Sequence, residues 1–195
     1  MKCFLSLFLL LAGLGAAGWA SAALTINIRE QGGNVVMTVY GTYDFSTLSQ
    51  TSTNTPFVAG IQANPLSFGA GAATNNLTEY SGANCSGSLG SGSTLFVPNT
   101  TSGNLFDIEV SDFYIPNSSG PIGTYSNTIA TYNGATLASL GLTNGATLTC
   151  SWPGDSLTVN VVVAVPTLSE WAQLMLALMV IGVAWHFHNN RQNSY

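Results

Sequence analysis

The sequence predicts an all-β protein: an antiparallel β-sandwich body that follows an N-terminal signal peptide and precedes one C-terminal transmembrane helix. Three observations predict this organisation. Apolar segments lie near both ends of the 195-residue chain, and serine, threonine, asparagine and glycine fill the region between them. In that region the β-branched and aromatic residues come in short runs bounded by turn residues. We therefore divide the chain into residues 1–22, 23–165 and 166–195.

The first 22 residues have the order of a secretory signal peptide. Lys2 precedes an apolar run over 4–14, and small residues follow as far as Ala20, Ser21 and Ala22. The run is too short to span a bilayer, and signal peptidase requires small side chains before its cleavage site. We expect cleavage between Ala22 and Ala23, which would deliver the body to an oxidising compartment.

The body, residues 23–165, is long enough for one domain with its own core. Apolar residues from Leu24 to Ile28 alternate with polar ones, and the glycines in 31–34 favour a tight turn into a second strand over 35–43. No stretch of the body keeps helical periodicity for three turns. Short strands between turn signals are typical of an antiparallel sandwich, with a barrel as the other closure. Further strands are predicted over 57–61, 94–97, 105–110, 125–132, 146–151 and 157–165.

The charge of the body excludes one class of partner. Arg29 is its only cation, against seven acidic residues. Because a net acidic domain cannot neutralise a phosphate backbone, nucleic acid is excluded as a partner. The body also has no histidine and no lysine, which removes Ser-His and Cys-His catalysis and histidine-based metal sites. We therefore expect no enzyme activity and no cofactor.

Asp107, Glu109 and Asp112, in the segment LFDIEVSD, are the candidates for acid chemistry. The first two point to the same face of a strand. With the third just beyond, they could bind calcium through oxygen ligands or act as a catalytic carboxylate pair. We favour a third interpretation, a solvated strand face with three apolar residues directed inward: Phe106, Ile108 and Val110.

Cys85 and Cys150 are the two cysteines that remain once a signal peptide carrying Cys3 is removed. Thiols in an oxidising compartment persist as disulfides, so we predict that these two pair. In the chain-entropy model, a disulfide that closes a loop of this length stabilises the fold by about 4 kcal/mol. Two separate free thiols are the alternative, because the sequence does not show that the residues lie close together.

Aromatic side chains give a second hypothesis for the function of the body. Tyrosine and tryptophan rings on an exposed sheet face can stack on sugar rings. The same residues also form strands and fill cores. The candidates for carbohydrate binding are Tyr40, Tyr43, Tyr80, Tyr114, Tyr125, Tyr132 and Trp152.

A second apolar segment occupies residues 171–187, where Gln173 and His186 are the only clearly polar members. Its length is near the minimum for crossing the hydrocarbon of a bilayer. It is apolar all round, whereas an amphipathic helix has a polar face. Trp171 and Trp185 lie near its two ends, at the depth that amphipathic rings prefer. We predict a transmembrane helix with a short cytoplasmic tail; a buried helix of a soluble domain is the alternative.

The residues at the start of this segment read VPTLSEW, from Val165 to Trp171. The motif, the apolar span behind it and their terminal position resemble the IPTL-CTERM sorting signal of Gram-negative bacteria. Val165 replaces the isoleucine of that pattern, Ala172 replaces its glycine, and its basic cluster is reduced to Arg191 beside two histidines. The matching positions are Pro166, Thr167, Leu168, Ser169, Glu170 and Trp171.

The resemblance implies both a partner and a location. Tails of this kind are similar to PEP-CTERM signals, which implies an exosortase-like membrane enzyme that cleaves around 166–171 after the precursor is held transiently at the inner membrane. Pro166 would end the preceding strand and keep an extended peptide accessible outside the bilayer. The association of these tails with biofilm-forming bacteria implies a structural protein of the cell surface or extracellular matrix. The alternative is a carbohydrate-binding module for matrix exopolysaccharide.

Overall fold

A computed structural model of the protein describes five parts of the chain. Within them it contains thirteen β-strands, one turn of 3-10 helix at Asn117–Ser119 and one helix over 172–181. The body is therefore all-β, as predicted. The described residues are 22–53, 57, 59–74, 76–162 and 172–181.

The chain divides into two compact units, Met1–Val163 and Ala164–Tyr195. Ala22 and Ala23, the predicted cleavage position, begin the first strand of the first unit. The rest of the predicted signal peptide and the whole sorting motif, residues 165–171, lie outside the described residues.

Seven strands form the larger sheet, in the order β7-β12-β13-β1-β2-β11-β8. Alternating apolar residues explain the long central strands, because every second side chain of β2 is buried. The strands are β1 (Ala22–Gln31), β2 (Asn34–Asp44), β7 (Asn84–Gly87), β8 (Thr100–Ser102), β11 (Ile122–Asn133), β12 (Thr147–Trp152) and β13 (Asp155–Val162).

Six shorter strands form the second sheet, in the order β3-β6-β10-β9-β5-β4. The inner faces of the two sheets share one hydrophobic core, which gives a sandwich-like arrangement. Phe45 lies within the core and stacks on Tyr43 and Phe113. The strands are β3 (Ser49–Thr53), β4 (Ile61–Gln62), β5 (Ser67–Ala70), β6 (Leu77–Ser81), β9 (Phe106–Glu109) and β10 (Asp112–Pro116).

The prediction of a purely antiparallel body is wrong for one pair of strands. β1 and β13 run parallel, in a register that extends from Ala22 opposite Asp155 to Arg29 opposite Val162. β2 occupies one side of β1 and β13 the other, and the alternation within each strand carries no information about the direction of its partner. The other registered pairs are antiparallel.

Several predicted strands have different bounds in the structure. The segments predicted over 57–61 and 94–97 make isolated bridges at Phe57 and Phe96, with the short β4 beginning at Ile61. The segment 125–132 is part of the longer β11, which contains a register shift between Tyr125 and Thr128. Polar strands such as β3 and β8 escaped prediction because they lack an apolar alternation.

A buried carboxylate ties the end of β2 to the start of β13. The backbone N–H groups of Asp44 and Ser156 donate hydrogen bonds to the two carboxylate oxygens of Asp155, at 2.7 and 2.6 Å. The indole N–H of Trp152 donates to the carbonyl of Asp44 at 2.7 Å. These bonds satisfy polar groups at the edge of the core and fix the ends of three strands.

The second unit contains a helix over 172–181, within the predicted apolar segment. None of the helices in the described parts of the chain has both the length and the apolar character needed to cross a membrane. The predicted span over 171–187 continues into residues outside those described.

Candidate functional site

The predicted disulfide is present in the structure. Cys85 on β7 lies directly opposite Cys150 on β12, and their sulfur atoms are 2.05 Å apart. Cys150 is fully buried, whereas Cys85 is half-buried on the edge strand. The bond therefore fastens an edge strand to the core of the larger sheet.

Asp107 does not lie on a solvated face, so the favoured interpretation of its strand is wrong. Phe106 and Ile108 do face the core, and Asp107 faces the other side of the sheet, but it is only 1% exposed. The segment before β4 covers that side: Phe57 stacks on Tyr114 of the outer face, and the Cα of Ala59 would lie 3.3 Å from a β-carbon at Gly69, the partner of Asp107. Burial of Asp107 thus comes from a distant segment laid over the sheet.

Val110 also departs from its predicted position inside the core. It lies in the two-residue turn between β9 and β10, has a φ of 56° and is 59% exposed. A β-branched residue is rarely found in this left-handed region of backbone conformation. The strand ends one residue earlier than predicted because the chain turns here toward Asp112.

Four carboxylates gather on the outer face of the six-stranded sheet, which we term the acidic face: Glu79, Asp107, Glu109 and Asp112. Tyr114 pairs with Glu79 on one neighbouring strand and with Asp107 on the other. Glu109 lies opposite Asp112. The structure therefore brings the three predicted acids together and adds Glu79, which sequence spacing did not indicate.

Burial dominates the electrostatics of Asp107. Both of its carboxylate oxygens are buried, and neither has a hydrogen-bond partner among the described residues. Burial, followed by the nearby charge of Glu109, raises the pKa of Asp107 well above its usual value of 3.8. The neutral form is favoured, because an unpaired buried carboxylate loses its hydration. A carboxyl group enclosed to this extent is inaccessible to a substrate from solvent.

The pKa values of Glu109 and of the neighbouring Tyr114 change in the same direction. Burial and the charges of Asp112 and Glu79 raise the pKa of Glu109. Burial, followed by the surrounding carboxylates, raises the pKa of Tyr114 to about 12. Within the described part of the chain, no three histidine, cysteine, aspartate or glutamate side chains form a group suited to holding a metal ion.

Gly69 leaves the space that Asp107 occupies. A β-carbon added at Gly69 would overlap Oδ1 of Asp107 and lie 3.3 Å from the Cα of Ala59. We therefore expect Gly69→Ala to lower the free energy of unfolding by about 1–3 kcal/mol, as overpacking does elsewhere. Urea denaturation of the variant measures the change.

Two variants of Asp107 show which contact of the added methyl group causes the loss of stability. In an Asp107→Ala background the penalty of Gly69→Ala is expected to shrink, because the carboxyl group is gone. In an Asp107→Asn background it should persist, since the amide fills the same volume. An equal penalty in both backgrounds would identify the backbone of Ala59 as the obstacle instead.

Most of the aromatic residues proposed for sugar stacking are buried, which corrects the idea of a shared aromatic face. They belong to the core between the sheets, where rings such as Phe113 and Trp152 pack 5.0 Å apart. Tyr114 is half-buried and stacks on Phe57. Tyr40 alone of the candidates is exposed, at 40%. The buried members are Tyr43, Tyr80, Tyr125, Tyr132 and Trp152.

Tyr40 belongs to a polar network on the outer face of the seven-stranded sheet. The side-chain amide of Asn27 donates a hydrogen bond of 2.9 Å to the hydroxyl oxygen of Tyr40. The amide of Asn160 donates to the side-chain oxygen of Asn27 at 3.3 Å. The network crosses three adjacent strands, β13, β1 and β2.

Apolar side chains surround the helix of the second unit on all sides. Its large residues from Leu174 to Ile181 are between 56 and 63% exposed. Gln173 is its only polar side chain in the described range. Such a surface is unfavourable in water.

Comparison of the chain with protein-family models, with curated proteins and with solved structures found no match.

Proposed function

We propose that this chain is an exported structural protein of the cell surface or biofilm matrix. Its C-terminal segment would hold the precursor at the inner membrane until an exosortase-like enzyme cleaves it around 166–171. The observation that carries the proposal is the helix over 172–181, which exposes apolar side chains on every side. An all-apolar surface has its lowest free energy in hydrocarbon or against a partner of the same character.

The length of the apolar segment agrees with a membrane location. The described helix of ten residues would cover about 15 Å, or half the hydrocarbon thickness. The sequence remains apolar as far as Trp185. We propose that residues 171–187, near the minimum length for a span, cross the bilayer as a helix, which would place the PTLSEW peptide at its surface.

The disulfide supports delivery outside the cytoplasm. Disulfides persist in oxidising compartments and are rare where glutathione keeps thiols reduced. Cys85 and Cys150 are placed on neighbouring strands in direct register. This arrangement fits a body that folds after export.

Membrane association is tested by flotation of the full-length precursor with lipid vesicles. We expect the precursor to float with the vesicles and Met179→Asp to weaken flotation, because a charge near a helix centre costs about 2.5–3.5 kcal/mol on insertion. Gln173→Asn is the matched control and should float like the unsubstituted chain. A precursor that stays in solution without vesicles or detergent contradicts the proposal.

Processing is tested by mass spectrometry of the protein recovered from the surface of the bacterium that encodes it. The mature chain is expected to begin at Ala23 and to lack residues beyond the PTLSEW motif. A Pro166→Ala, Trp171→Ala variant should retain its tail, whereas Asn189→Ala, outside the motif, should be processed normally. A peptide that runs intact through Trp185 in the surface protein counts against cleavage.

A further inference from the structure

We infer that the outer face of the seven-stranded sheet around Tyr40 binds a neutral polysaccharide, with the tyrosine ring as its stacking surface. The inference deepens the proposed function by naming a partner class, and it rests on the proposed location outside the cell. Binding by purified protein is independent of sorting, so either idea can fail while the other holds.

The hydrogen bond to Asn27 determines how the Tyr40 ring lies. Tyr40 pairs directly with Thr25 on β1, and Asn27 is two residues farther along that strand, on the same face. Because the hydroxyl group of Tyr40 reaches Asn27, its ring lies diagonally across β1 and does not stand out from the sheet. One ring face therefore covers the sheet, and the other is open to solvent, in agreement with the 40% exposure.

Hydroxyl and amide groups continue this surface across neighbouring strands. One registered row runs from Tyr40 through Thr25, Thr158 and Thr149 to Ser86. The adjacent row contains Thr38, Asn27, Asn160 and Thr147. Each of these side chains donates and accepts hydrogen bonds without carrying charge.

This chemistry matches that of a neutral sugar chain. A pyranose ring offers a face of C–H groups, which packs on an aromatic ring, and hydroxyl groups at its edge, which bond to amides and hydroxyls. The two rows around Tyr40 contain no ionised group. Arg29, the one cation of the body, lies on the same face, one row beyond Asn27 and two rows from Tyr40. The four carboxylates of the acidic face lie on the other sheet. One cation in a net acidic body does not favour an anionic chain over a neutral one.

The test measures binding of the full chain, held in detergent micelles, to a panel of soluble neutral oligosaccharides with β-1,4-glucan, β-1,3-glucan and mannan backbones. Polygalacturonate is the anionic comparison. We expect at least one neutral chain to bind and polygalacturonate not to bind. Tyr40→Ala should weaken that binding about tenfold, as an aromatic contact of about 1.4 kcal/mol does.

Two further variants separate stacking from general damage to the surface. Tyr40→Phe keeps the ring but loses the bond to Asn27, so it should weaken binding less than Tyr40→Ala. Thr51→Ala, on β3 of the other sheet, should leave the affinity unchanged. Equal binding by Tyr40→Ala and the unsubstituted chain overturns the inference, as does the absence of binding to every neutral chain in the panel. A change from dimer to monomer caused by Tyr40→Ala without any sugar effect would assign the face to a second copy instead.

Discussion

Replacement of both disulfide cysteines, Cys85→Ala with Cys150→Ala, is expected to lower the free energy of unfolding by about 4 kcal/mol. The estimate follows from the sequence separation of 65 residues that the bond closes and from the loop entropy it removes from the unfolded chain. For a domain of this size the change corresponds to a fall in melting temperature of about 10–15 °C. Thermal and urea denaturation of oxidised protein and of the double variant measure it.

The effect should be largest at the edge strand β7. That strand has four residues and pairs with β12 alone, so the disulfide supplies a large share of what holds it in place. Hydrogen exchange in 84–87 is expected to increase in the double variant more than exchange in the central strand β1. Chemical reduction of the unsubstituted protein serves as the control, because it breaks the bond without changing a side chain. A melting temperature that is insensitive to both treatments would contradict the prediction.

The stability of the body is expected to fall as the pH rises above about 4, because Asp107 must give up its proton in a buried site. Its pKa in the folded protein is raised well above the usual value of 3.8, so the folded state binds more protons than the unfolded chain in this range. The free energy of unfolding then decreases by up to about 1.4 kcal/mol for each pH unit until the folded-state pKa is passed. Urea denaturation at a series of pH values gives the slope.

Asp107→Asn should flatten this pH dependence, since an amide of the same shape does not titrate. Some slope is expected to remain, because the pKa values of Glu109 and Asp155 are also raised. Asp44 contributes a pH dependence of opposite sign to the free energy of unfolding, because hydrogen bonds from Ser46 lower its pKa. Glu109→Gln is the matched control and should remove a smaller part of the slope. An unchanged profile in Asp107→Asn would show that Asp107 is not the titrating group.

The elements that sequence could predict are those whose pattern is local. The alternation in β1, β2 and β13 identifies those strands, and each buries its alternating apolar residues in the core. The strands that escaped prediction, such as β3 and β8, are short and polar and are formed by pairing with a neighbour. Their own residues carry no signal that distinguishes them from loops.

The burial of Asp107 shows why a site is harder to predict than a strand. Alternation correctly placed Asp107 on the opposite side of β9 from Phe106. It could not show that the segment around Phe57 and Ala59 covers that side, because this contact joins parts of the chain far apart in sequence. The same limit applies to the aromatic residues, whose exposure depends on which face meets the second sheet. Tyr40 was one candidate among seven until the packing separated it from the rest.

The parallel pairing of β1 with β13 sets the order in which the body can be completed. Asn27 and Asn160, which contact each other across this pair, are separated by 133 residues. β1 pairs with β2 early in the chain, but its second neighbour is present only once nearly the whole domain has been synthesised, and contacts of such high separation form slowly. Until β13 pairs with it, β1 is an open edge of the larger sheet.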